Sequence, residues 1–449
     1  MMNKKKILII GASSKIGLNI TTILKNKFLS NFEVFGTYNS QKISQFDKLD
    51  IINHEMIEKI FLKIKPNFVI LTAALIRPIT CEENKTLAWK TNVDSVKKIV
   101  EECKKINSKL IFLSSDYVYS GKDSIIEETE TLKPLNYYGK TKLEGENIVS
   151  TLQKFLIIRT AWVNDVNPNS KSFVIQVINA LKKNEIIDVP IDQFGHPTYS
   201  TNLAEIIIEL ILKDANGVFH ITGSTYISRF DFAKKIAKAF CLNPDLIHGI
   251  RTPSNSLIQR PLKINLNLNK LKSIITTNPL TLDEQLNLMR TDYEFETLLD
   301  NVKLISIGKY DDNRGSLSVL ISKNRNDAPN SENIQEVYLT EIPDSHTIRA
   351  SHKHKDADEF FIMLNGSAKF VLIDDRKNSS TYKKSYSIFL NGEFRSALFV
   401  PSGIFHIFKT TENHSKCLAI SSKAYDKNNP DVISVKNNFF GKEFELNIS

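Results

Sequence analysis

Residues 7–17 read ILIIGASSKIG and join a short apolar run to a glycine turn and the start of a helix. Gly11 and Gly17 permit a tight turn and close contact between a strand and the helix that follows it. The N-terminus of that helix offers backbone N–H groups and a positive dipole end to a pyrophosphate. Because Ser14 replaces the middle glycine of the usual pattern, the stretch predicts a dinucleotide site only together with its surroundings.

Up to about residue 290, short apolar runs alternate with longer segments of helical spacing, which predicts a parallel sheet with helices on both faces. The fold class of this half is therefore an α/β Rossmann, doubly wound parallel sheet. Its predicted strands are ILIIG (7–11), EVFGTY (33–38), FVILTAA (68–74), LIFLSS (110–115) and FLIIRT (155–160).

From about residue 300 the rhythm changes to short strands of period two, which predicts an all-β antiparallel barrel or double-sheet jelly roll. These strands lie in GSLSVLIS (315–322), EVYLTEI (336–342), AKFVLIDD (368–375) and SALFVPSG (396–403). The junction falls in LMRTDYEFETLLDN (288–301), so we predict domains at 1–290 and 300–449.

The amino-acid composition restricts the kinds of protein that this chain can be. The 449 residues are 41% hydrophobic and 24% charged, typical of a globular protein, and no run reaches the ~20 apolar residues of a membrane span. Four scattered cysteines argue against a disulfide framework or a zinc ribbon. The net charge of +9 favours phosphate-bearing substrates. We expect a cytoplasmic protein with neither nucleic acid nor membrane as a partner.

The second predicted strand indicates which nicotinamide cofactor the site accepts. FGTYNS (35–40) has no Asp or Glu at its end, where an acidic residue would bind the 2′-hydroxyl of NAD. Tyr38, Asn39 and Ser40 would tolerate a 2′-phosphate, but no arginine is present there to select it. NADP is therefore permitted, and NAD stays open.

Tyr138 and Lys142 are four residues apart in NYYGKTKLEGE (136–146), which places them on one face of a helix. We expect the ammonium to lower the pKa of the phenol, so that Tyr138 can exchange a proton with a carbonyl oxygen during hydride transfer. Ser115 ends the strand LIFLSS, at the sheet edge where α/β proteins bind ligands. Ser115 would hydrogen-bond the same carbonyl.

Residues 5 to about 290 resemble the extended short-chain dehydrogenase/reductases, and within them the dTDP-4-dehydrorhamnose reductases. The matching stretches are LTAALIRPITCEE (71–83), TNV (91–93), LSSDYVYSG (113–121), YYGKTKLEGE (137–146), IIRTAWV (157–163), DQFGHPTYSTNLA (192–204), GVFHITG (217–223) and RP (260–261). The resemblance implies that Tyr138 is the proton donor, that Lys142 is its partner and a ribose ligand, and that Ser115 stands where threonine is usual.

The resemblance also implies the residues that bind the two ligands. The cofactor would be held by Gly11, Ser13, Ser14, Lys15, Ile16 and Gly17 around the pyrophosphate, with Asp50, Ile51, Ala73 and Ala74 around the adenosine. The nucleotide sugar would contact Asp116, Tyr117, Trp162, Gln193, Thr198 and Arg260. This family and the family that the second half resembles, described below, both form dimers, so a homodimer is implied as well.

The second half carries HKHKDADEFFIMLNG (352–366) and VPSGIFHIF (400–408), which resemble the two sequence blocks of the cupins and so imply an all-β cupin jelly roll. His352, His354, Glu359 and His406 are the four ligand types that a cupin places on one metal ion, and they suit Zn, Fe, Mn or Ni. The spacing leaves three alternatives open: a metal site, proton relay on a substrate, or a merely structural cupin.

The same half resembles the dTDP-4-dehydrorhamnose 3,5-epimerases, which are metal-free cupins, in DNRGSLSV (312–319), TIRASH (347–352) and GSAKFVLIDDRKNSSTY (366–382). That resemblance implies His352 as base and Asp374 as a further catalytic residue, with Arg314, Arg349 and His406 at the substrate. His352 and His354 together resemble the proton relay of the related 3,4-ketoisomerases.

Four positions depart from the epimerase pattern. Ala350 replaces a glycine, Glu359 replaces a lysine, and the proton-donating tyrosine expected near Ala419 is absent. The late aspartate that orients the base is not evident in the sequence either.

We interpret the chain as a bifunctional nucleotide-sugar enzyme. The cupin half would epimerise or isomerise an NDP-4-keto-6-deoxy sugar, and the other half would reduce the 4-keto group with NAD(P)H. Proton relay by the histidines is favoured over a metal, because isomerisation next to a carbonyl would precede its reduction. The alternative is a reductase whose cupin is a binding, dimerising or metal-dependent module.

Overall fold

The computed structural model describes residues 4–440, apart from 41, 123, 168–169, 241, 254–257, 296–298, 308, 313–314, 324–332, 346, 393–395 and 437. The chain divides into two compact units, one within residues 1–285 and one from Leu286 onward, and short segments near residues 166 and 240 group with the second. The domain limits at 290 and 300 stay a prediction.

The first unit contains fifteen described strands. They are β1 (Lys5–Ile10), β2 (Phe32–Tyr38), β3 (Asp47–Lys48), β4 (Phe68–Leu71), β5 (Lys109–Ser115), β6 (Ile125–Ile126), β7 (Phe155–Thr160), β8 (Val163–Asn164), β9 (Ile187–Pro190), β10 (Phe194–Gly195), β11 (Thr198–Tyr199), β12 (Gly217–His220), β13 (Ile227–Ser228), β14 (Ile247–Ile250) and β15 (Asn265–Leu266).

The described α-helices are α1 (Lys15–Lys27), α2 (His54–Ile64), α3 (Pro78–Glu83), α4 (Lys85–Trp89), α5 (Ser95–Ile106), α6 (Tyr137–Val149), α7 (Phe173–Lys182), α8 (Ser200–Leu212), α9 (Arg229–Ala239), α10 (Asn269–Lys272) and α11 (Leu282–Phe295). A π-helical turn (Lys90–Asp94) and two 3₁₀ turns (Asp116–Val118 and Pro244–Leu246) complete the helical elements of the described residues.

Seven parallel strands form the main sheet, in the order β12-β7-β5-β4-β1-β2-β3. Side chains of β1 alternate between its faces: Ile7 and Ile9 pack in the core with α1 and α8, and Leu8 and Ile10 pack in the core with α2 and α5. Burial on both faces explains why the strand reads as a continuous apolar run. The predicted doubly wound Rossmann sheet is confirmed.

The second unit contains twelve described strands. They are β16 (Lys303–Ser306), β17 (Lys309–Asp312), β18 (Gly315–Ser318), β19 (Glu336–Ile342), β20 (Ile348–His354), β21 (Glu359–Asn365), β22 (Ser367–Asp374), β23 (Ser385–Asn391), β24 (Ser396–Val400), β25 (Ile404–Thr410), β26 (Ser415–Ser421) and β27 (Val432–Ser434).

Two antiparallel sheets of five strands each make up this unit, in the orders β16-β24-β21-β26-β19 and β23-β22-β25-β20-β27. Their inner faces share an apolar core that includes Phe361, Phe370, Leu398 and Phe408. The predicted β-rich, cupin-like half is confirmed. The strand predicted over residues 315–322 is too long, because β18 ends at Ser318.

No helix within the described ranges combines the length and the apolar character needed to cross a bilayer.

A buried polar network lies beneath α6 and ties this helix to the main sheet. The Arg159 guanidinium on β7 donates to both carboxylate oxygens of Glu146 on α6, at 2.7–3.2 Å. Arg159 also donates to the Tyr119 hydroxyl at 2.6 Å. The Tyr119 hydroxyl lies 2.6 Å from Nε2 of His220 on β12, and Nδ1 of that histidine contacts the Asn267 carbonyl. The network fixes the helix that carries Tyr138 and Lys142.

His220 should make the first unit sensitive to acid. Burial, reinforced by the Arg159 charge, lowers the pKa of His220 to about 3 from an ordinary value of 6.5. Protonation is thus easier in the unfolded chain, so stability is full above pH 6.5 and is lost as the pH falls toward 3. Between pH 7.5 and 4.5 this group should remove about 2–3 kcal/mol from the free energy of unfolding.

Urea denaturation of wild type and His220→Gln at both pH values measures that contribution. The variant should lose about 2–3 kcal/mol less than wild type over this interval. His248→Gln, at an exposed histidine of β14, is the matched control and should follow wild type. Parallel loss in His220→Gln and wild type would contradict the assignment.

Candidate active sites

The glycine turn after β1 allows close backbone packing at the start of α1. Gly11 has φ +89°, and a Cβ there would lie 2.7 Å from the Ala73 backbone nitrogen. A Cβ on Gly17 would lie 2.4 Å from the Gly11 carbonyl oxygen, so both glycines are required. Ser14 caps α1, because its hydroxyl accepts from the Gly17 N–H at 3.1 Å. The serine is therefore compatible with the turn, and the helix N-terminus remains suited to a pyrophosphate.

The other predicted cofactor residues lie along one edge of the sheet. Tyr38, Asn39 and Ser40 end or follow β2, Asp50 and Ile51 follow β3, and Ala73 and Ala74 follow β4. These strands lie in the order β4-β1-β2-β3 of one parallel sheet, so their carboxyl ends share that edge with the turn residues Ser13 and Ile16. Lys15 forms an ion pair with Asp165 at 3.1 Å. The residues predicted to bind the dinucleotide thus lie along one edge.

Ser115, Tyr138 and Lys142 come together where β5 ends and α6 begins. Asn136 caps α6 by accepting from the Gly139 N–H at 3.0 Å. The Tyr138 hydroxyl hydrogen-bonds with Ser115, and the Ser115 hydroxyl lies 2.9 Å from a carboxylate oxygen of Asp116. All three predicted catalytic residues are buried. The structure thus brings together the predicted proton donor, its partner and the second carbonyl ligand.

The expectation of a lowered phenol pKa is wrong for this structure. Burial raises the pKa of Tyr138, although the Ser115 hydrogen bond works against that rise. Burial also lowers the pKa of Lys142 to about 8, and its ammonium lies 4.1 Å from the centroid of the Phe112 ring. Desolvation dominates both shifts because both side chains lie in the interior. The neutral phenol that results is the form that donates a proton.

The predicted sugar-binding residues contact other side chains of the first unit. Trp162 has φ +41°, and its ring stacks on Phe232 with the centroids 6.4 Å apart. Tyr117 packs edge-on against Tyr138 at 5.7 Å and hydrogen-bonds with Arg260. Gln193 donates to the Thr252 hydroxyl at 3.0 Å. The hydroxyl of Thr198 is buried and already bonded to His196 and Gly223, so its observed role is to fix the loop.

Sequence reasoning missed two residues of this site. The Arg229 guanidinium lies 3.8 Å from the centroid of the Trp162 ring, and burial lowers the pKa of Arg229 to about 10. Asn92, in the π-helical turn, accepts from the Leu75 N–H at 2.8 Å and donates to the Thr141 hydroxyl at 3.1 Å. The sequence signal for Asn92 was its place in TNV (91–93), one of the stretches that carry the resemblance.

Four side chains converge inside the jelly roll. Nε2 of His352 lies 3.2 Å from Nε2 of His354, and the latter lies 3.3 Å from Oε2 of Glu359. The same carboxylate oxygen lies 3.1 Å from Nε2 of His406. One ligand atom from each residue falls within 4.8 Å of every other. The spacing predicted from sequence therefore corresponds to one compact cluster, which we call the histidine–glutamate cluster.

A cavity of about 550 Å³ gives access to this cluster. His352 and His354 line the cavity together with Tyr338, Lys355, Lys423 and Asp431. Glu359 and His406 lie deeper, each with only 1% of its surface exposed. Burial works to raise the pKa of Glu359, but hydrogen bonding and charge from His354 and His406 outweigh it and hold that pKa well below its ordinary value.

A β-bulge aims His352 into the cavity. The pairing of β20 with β25 shifts between Ala350 and His352, and Ala350 and Ser351 have φ values of +66° and +74°. Such values cost a non-glycine residue about 1–2 kcal/mol each. Bulges redirect side chains next to active sites, so the strain is located at a functional position.

Ala350→Gly should therefore raise the free energy of unfolding by up to about 1 kcal/mol, because glycine adopts this φ without strain. Urea denaturation of the full chain measures the effect. Ala357→Gly, at a buried alanine whose φ is not positive, is the control and should not stabilise. Destabilisation by Ala350→Gly would show that methyl packing outweighs the strain.

Comparison with known proteins assigns each half of the chain to a family model. Residues 5–295 match the family model of the RmlD substrate binding domain, and residues 296–449 match that of dTDP-4-dehydrorhamnose 3,5-epimerase. A dTDP-4-dehydrorhamnose reductase of Aggregatibacter actinomycetemcomitans is 31% identical over 288 residues, 61% of this chain and 94% of that protein. The chain belongs to the dTDP-4-dehydrorhamnose reductase family. It is a reductase domain fused to a domain of the 3,5-epimerase family.

Solved structures agree with this family assignment. A dTDP-4-dehydrorhamnose reductase of Bacillus anthracis in complex with NADP is 26% identical and matches 64% of this chain and 99% of that one, with a TM-score of 0.57. A hypothetical dTDP-4-dehydrorhamnose reductase of Sulfolobus tokodaii is 32% identical and matches 62% and 98%, with a TM-score of 0.57. The predicted NAD(P) cofactor is confirmed as that of this reductase fold.

Within the epimerase-family domain, two residues that sequence reasoning missed support the cluster. Asp431 lies 3.4 Å from Nδ1 of His354, so a late aspartate does contact a histidine. The Tyr338 hydroxyl donates to Oε1 of Glu359 at 2.7 Å. Tyr338 pairs directly with Ala419 across β19 and β26. It therefore places a phenol beside the position at which the epimerase pattern has its proton-donating tyrosine.

Two assignments in the epimerase-family domain need correction. Asp374 is not beside the histidines: its carboxylate forms an ion pair with Arg376 at 2.8 Å and accepts from the Thr381 hydroxyl at 2.6 Å, which indicates a structural role. His406 is too deeply buried to contact a sugar directly. Arg349 is exposed on β20, and Arg314 falls outside the described residues.

Proposed function

We propose that the two domains act in sequence on one nucleotide-linked 4-keto-6-deoxy sugar, with a dTDP group by analogy with the relatives. The epimerase-family domain would remove a proton from carbon next to the keto group and return it. The reductase domain would then reduce the carbonyl at C4. This order follows from chemistry, because the keto group that acidifies the neighbouring C–H is consumed by reduction.

The observation that carries the reductase proposal is the hydrogen-bonded pair of Ser115 and Tyr138 at the carboxyl end of β5. Bound NAD(P)H supplies the hydride. Ser115 would orient the carbonyl oxygen, and Tyr138 would donate its phenolic proton to that oxygen. Lys142 would stabilise the phenolate that remains, and its ammonium would contact the ribose. Gly11, Ser14 and Gly17 would hold the pyrophosphate.

The epimerase-family domain would use the histidine–glutamate cluster and its cavity. His352 and His354 line this cavity, whereas the other two members lie behind them. Lys355 and Lys423 line the cavity together with acidic side chains, and Lys423 is paired with Asp356 at 3.0 Å. Tyr338 presents a hydroxyl on the same wall. The cavity thus offers proton-transfer groups beside side chains of both charges.

The test combines the full chain, dTDP-4-keto-6-deoxyglucose and NADPH in heavy water, with the product examined by NMR. We expect reduction at C4 together with deuterium at C3, or at both C3 and C5. Reduction without carbon-bound deuterium would contradict enolisation of this sugar. An absence of reduction would contradict the reductase proposal for this substrate.

His352→Ala should abolish the carbon-bound deuterium, because the side chain that faces the cavity is lost. The same NMR experiment measures the effect. His414→Asn, at an exposed histidine of the same domain, is the matched control and should retain deuterium incorporation. Direct reduction of the unepimerised sugar by His352→Ala would show that the reductase domain remains intact. Undiminished deuterium in His352→Ala would contradict this assignment of the site.

We also propose a cytoplasmic homodimer, as the resemblance implies. Light scattering of the purified chain should give twice the monomer mass. A monomer that retains full activity would contradict the dimer.

A further inference from the structure

We propose that the histidine–glutamate cluster binds one divalent transition-metal ion through His352, His354, Glu359 and His406. Sequence spacing left a metal as one of three alternatives, and proton relay was favoured over it. The positions of the side chains argue for the metal. The proposal goes beyond the function proposed above, because ion binding requires no particular sugar.

The distances between the donor atoms fit a shared ion. Two ligands bonded at about 2.1 Å to one metal, with an angle of 90–109° between them, lie about 3.0–3.4 Å apart. The three close pairs in the cluster are separated by 3.2, 3.3 and 3.1 Å. The largest separation is within 4.8 Å, which allows ligands on opposite sides of the ion. Little movement of the side chains is needed.

Two buried acceptor atoms, one of Glu359 and one of His406, face each other when the His406 imidazole is neutral. Nδ1 of His406 lies 3.2 Å from the Ile404 carbonyl, which can only accept, so Nδ1 carries the hydrogen. In the neutral imidazole, Nε2 then presents a lone pair to the Glu359 carboxylate. Oε2 of Glu359 and Nε2 of His406 are both buried and have no hydrogen-bond partner among the described side chains. Two facing acceptors are the arrangement that a cation relieves.

Neighbouring residues orient the ligands as they do around protein-bound metals. Asp431 lies 3.4 Å from Nδ1 of His354, which leaves Nε2 of that histidine free to bind. Tyr338 donates to Oε1 of Glu359 and so directs Oε2 toward the histidines. Carboxylate–histidine and hydroxyl–carboxylate contacts of this kind fix the tautomer and the orientation of metal ligands.

Three imidazoles and one carboxylate suit Zn²⁺, Mn²⁺, Fe²⁺, Co²⁺ or Ni²⁺. His352 and His354 form the side of the cluster that faces the cavity. With the ion bound, Nε2 of His352 and Nε2 of His354 would be ligands, so the ion rather than these two imidazoles would act on the substrate, by polarising a carbonyl or enolate oxygen. The ion would thereby take over charge stabilisation at the position where the epimerase family's lysine is replaced by Glu359.

Calorimetric titration of the full chain tests the proposal, after chelator treatment and dialysis, with Zn²⁺, Mn²⁺ and Co²⁺ as separate probes. We expect one ion per chain, with Co²⁺ giving the visible absorption bands of a nitrogen- and oxygen-ligated site. Glu359→Gln and His406→Ala should abolish stoichiometric binding. His414→Asn should bind as wild type does.

Because loss of a buried ligand can unfold the domain, Tyr338→Phe provides a second variant that keeps all four ligands. It should bind about 10–100-fold more weakly, as expected when a supporting hydrogen bond is removed. If none of the three ions binds wild type at one equivalent, or if Glu359→Gln and His406→Ala bind normally, the proposal is overturned. A proton on His406 would then separate the two acceptors.

Deuterium incorporation is recorded separately on the metal-loaded chain. Bound metal without deuterium in the product would overturn the proposed sugar chemistry and support the metal site. Deuterium incorporation by a wild-type chain that binds none of the ions would do the reverse.

Discussion

Tyr138→Phe should lower kcat for NADPH-dependent keto-sugar reduction by about 10²–10⁴-fold, the usual contribution of a positioned general acid. The variant loses only the hydroxyl that hydrogen-bonds with Ser115. Burial keeps that hydroxyl protonated in the wild type, so it is available as the proton donor. The KM for NADPH should change little, because the glycine turn and Lys142 are untouched.

Stopped-flow measurement of NADPH oxidation, together with deuterium incorporation at carbon, separates the two domains. The variant should retain deuterium incorporation while reduction is lost. Tyr137→Phe, at the neighbouring residue whose ring contacts Lys85, is the matched control and should reduce at the wild-type rate. Retention of more than a tenth of wild-type kcat by Tyr138→Phe would argue for a different proton donor.

Glu146→Gln should destabilise the reductase domain by about 3–5 kcal/mol, because it leaves the Arg159 guanidinium buried without its counter-ion. Both side chains are at most 5% exposed. The Ser114 hydroxyl also donates to Glu146, so the substitution disturbs the strand that ends in Ser115. The effect should therefore appear in both stability and reductase rate.

Urea denaturation measures the loss. Asp47→Asn is the control, because it breaks an exposed ion pair with Lys63. The side chain of Lys63 is 63% exposed and that of Asp47 is 43% exposed, so the variant should lose less than about 1 kcal/mol of the free energy of unfolding. The double variant Glu146→Leu, Arg159→Leu should recover part of the loss, since removing both charges removes the uncompensated one. Equal losses for Glu146→Gln and Asp47→Asn would show that water reaches the buried pair.

Local pattern explains what sequence analysis predicted well. A continuous apolar run followed by glycine or serine indicates a buried parallel strand, and β1 and β5 formed as expected. The spacing of Tyr138 and Lys142 depends only on helical geometry, and the position of Ser115 depends only on where a strand ends. These signals lie within a few residues of one another, so no knowledge of distant contacts was needed.

The pKa of Tyr138 could not be predicted in the same way. Spacing shows that an ammonium is on the same helix face, but not how much water reaches either group. Lys142 packs over the Phe112 ring and Tyr138 packs against Tyr117, and these contacts keep water away from both groups. Desolvation then dominates both pKa values. The predicted direction of the pKa shift was therefore wrong.

The sequence by itself determined the Rossmann and cupin classes, the glycine turn, and the presence of four metal-ligand types in the second half. Only the tertiary structure showed that Tyr338 and Asp431 support this cluster, that Asp374 belongs to a separate ion pair, and that a bulge at Ala350 turns His352 inward. The reason is that period-two alternation specifies which residues share a face but not which strands become neighbours. A shift of one residue in an antiparallel register reverses every side chain, so strand partners and bulges are decided by packing.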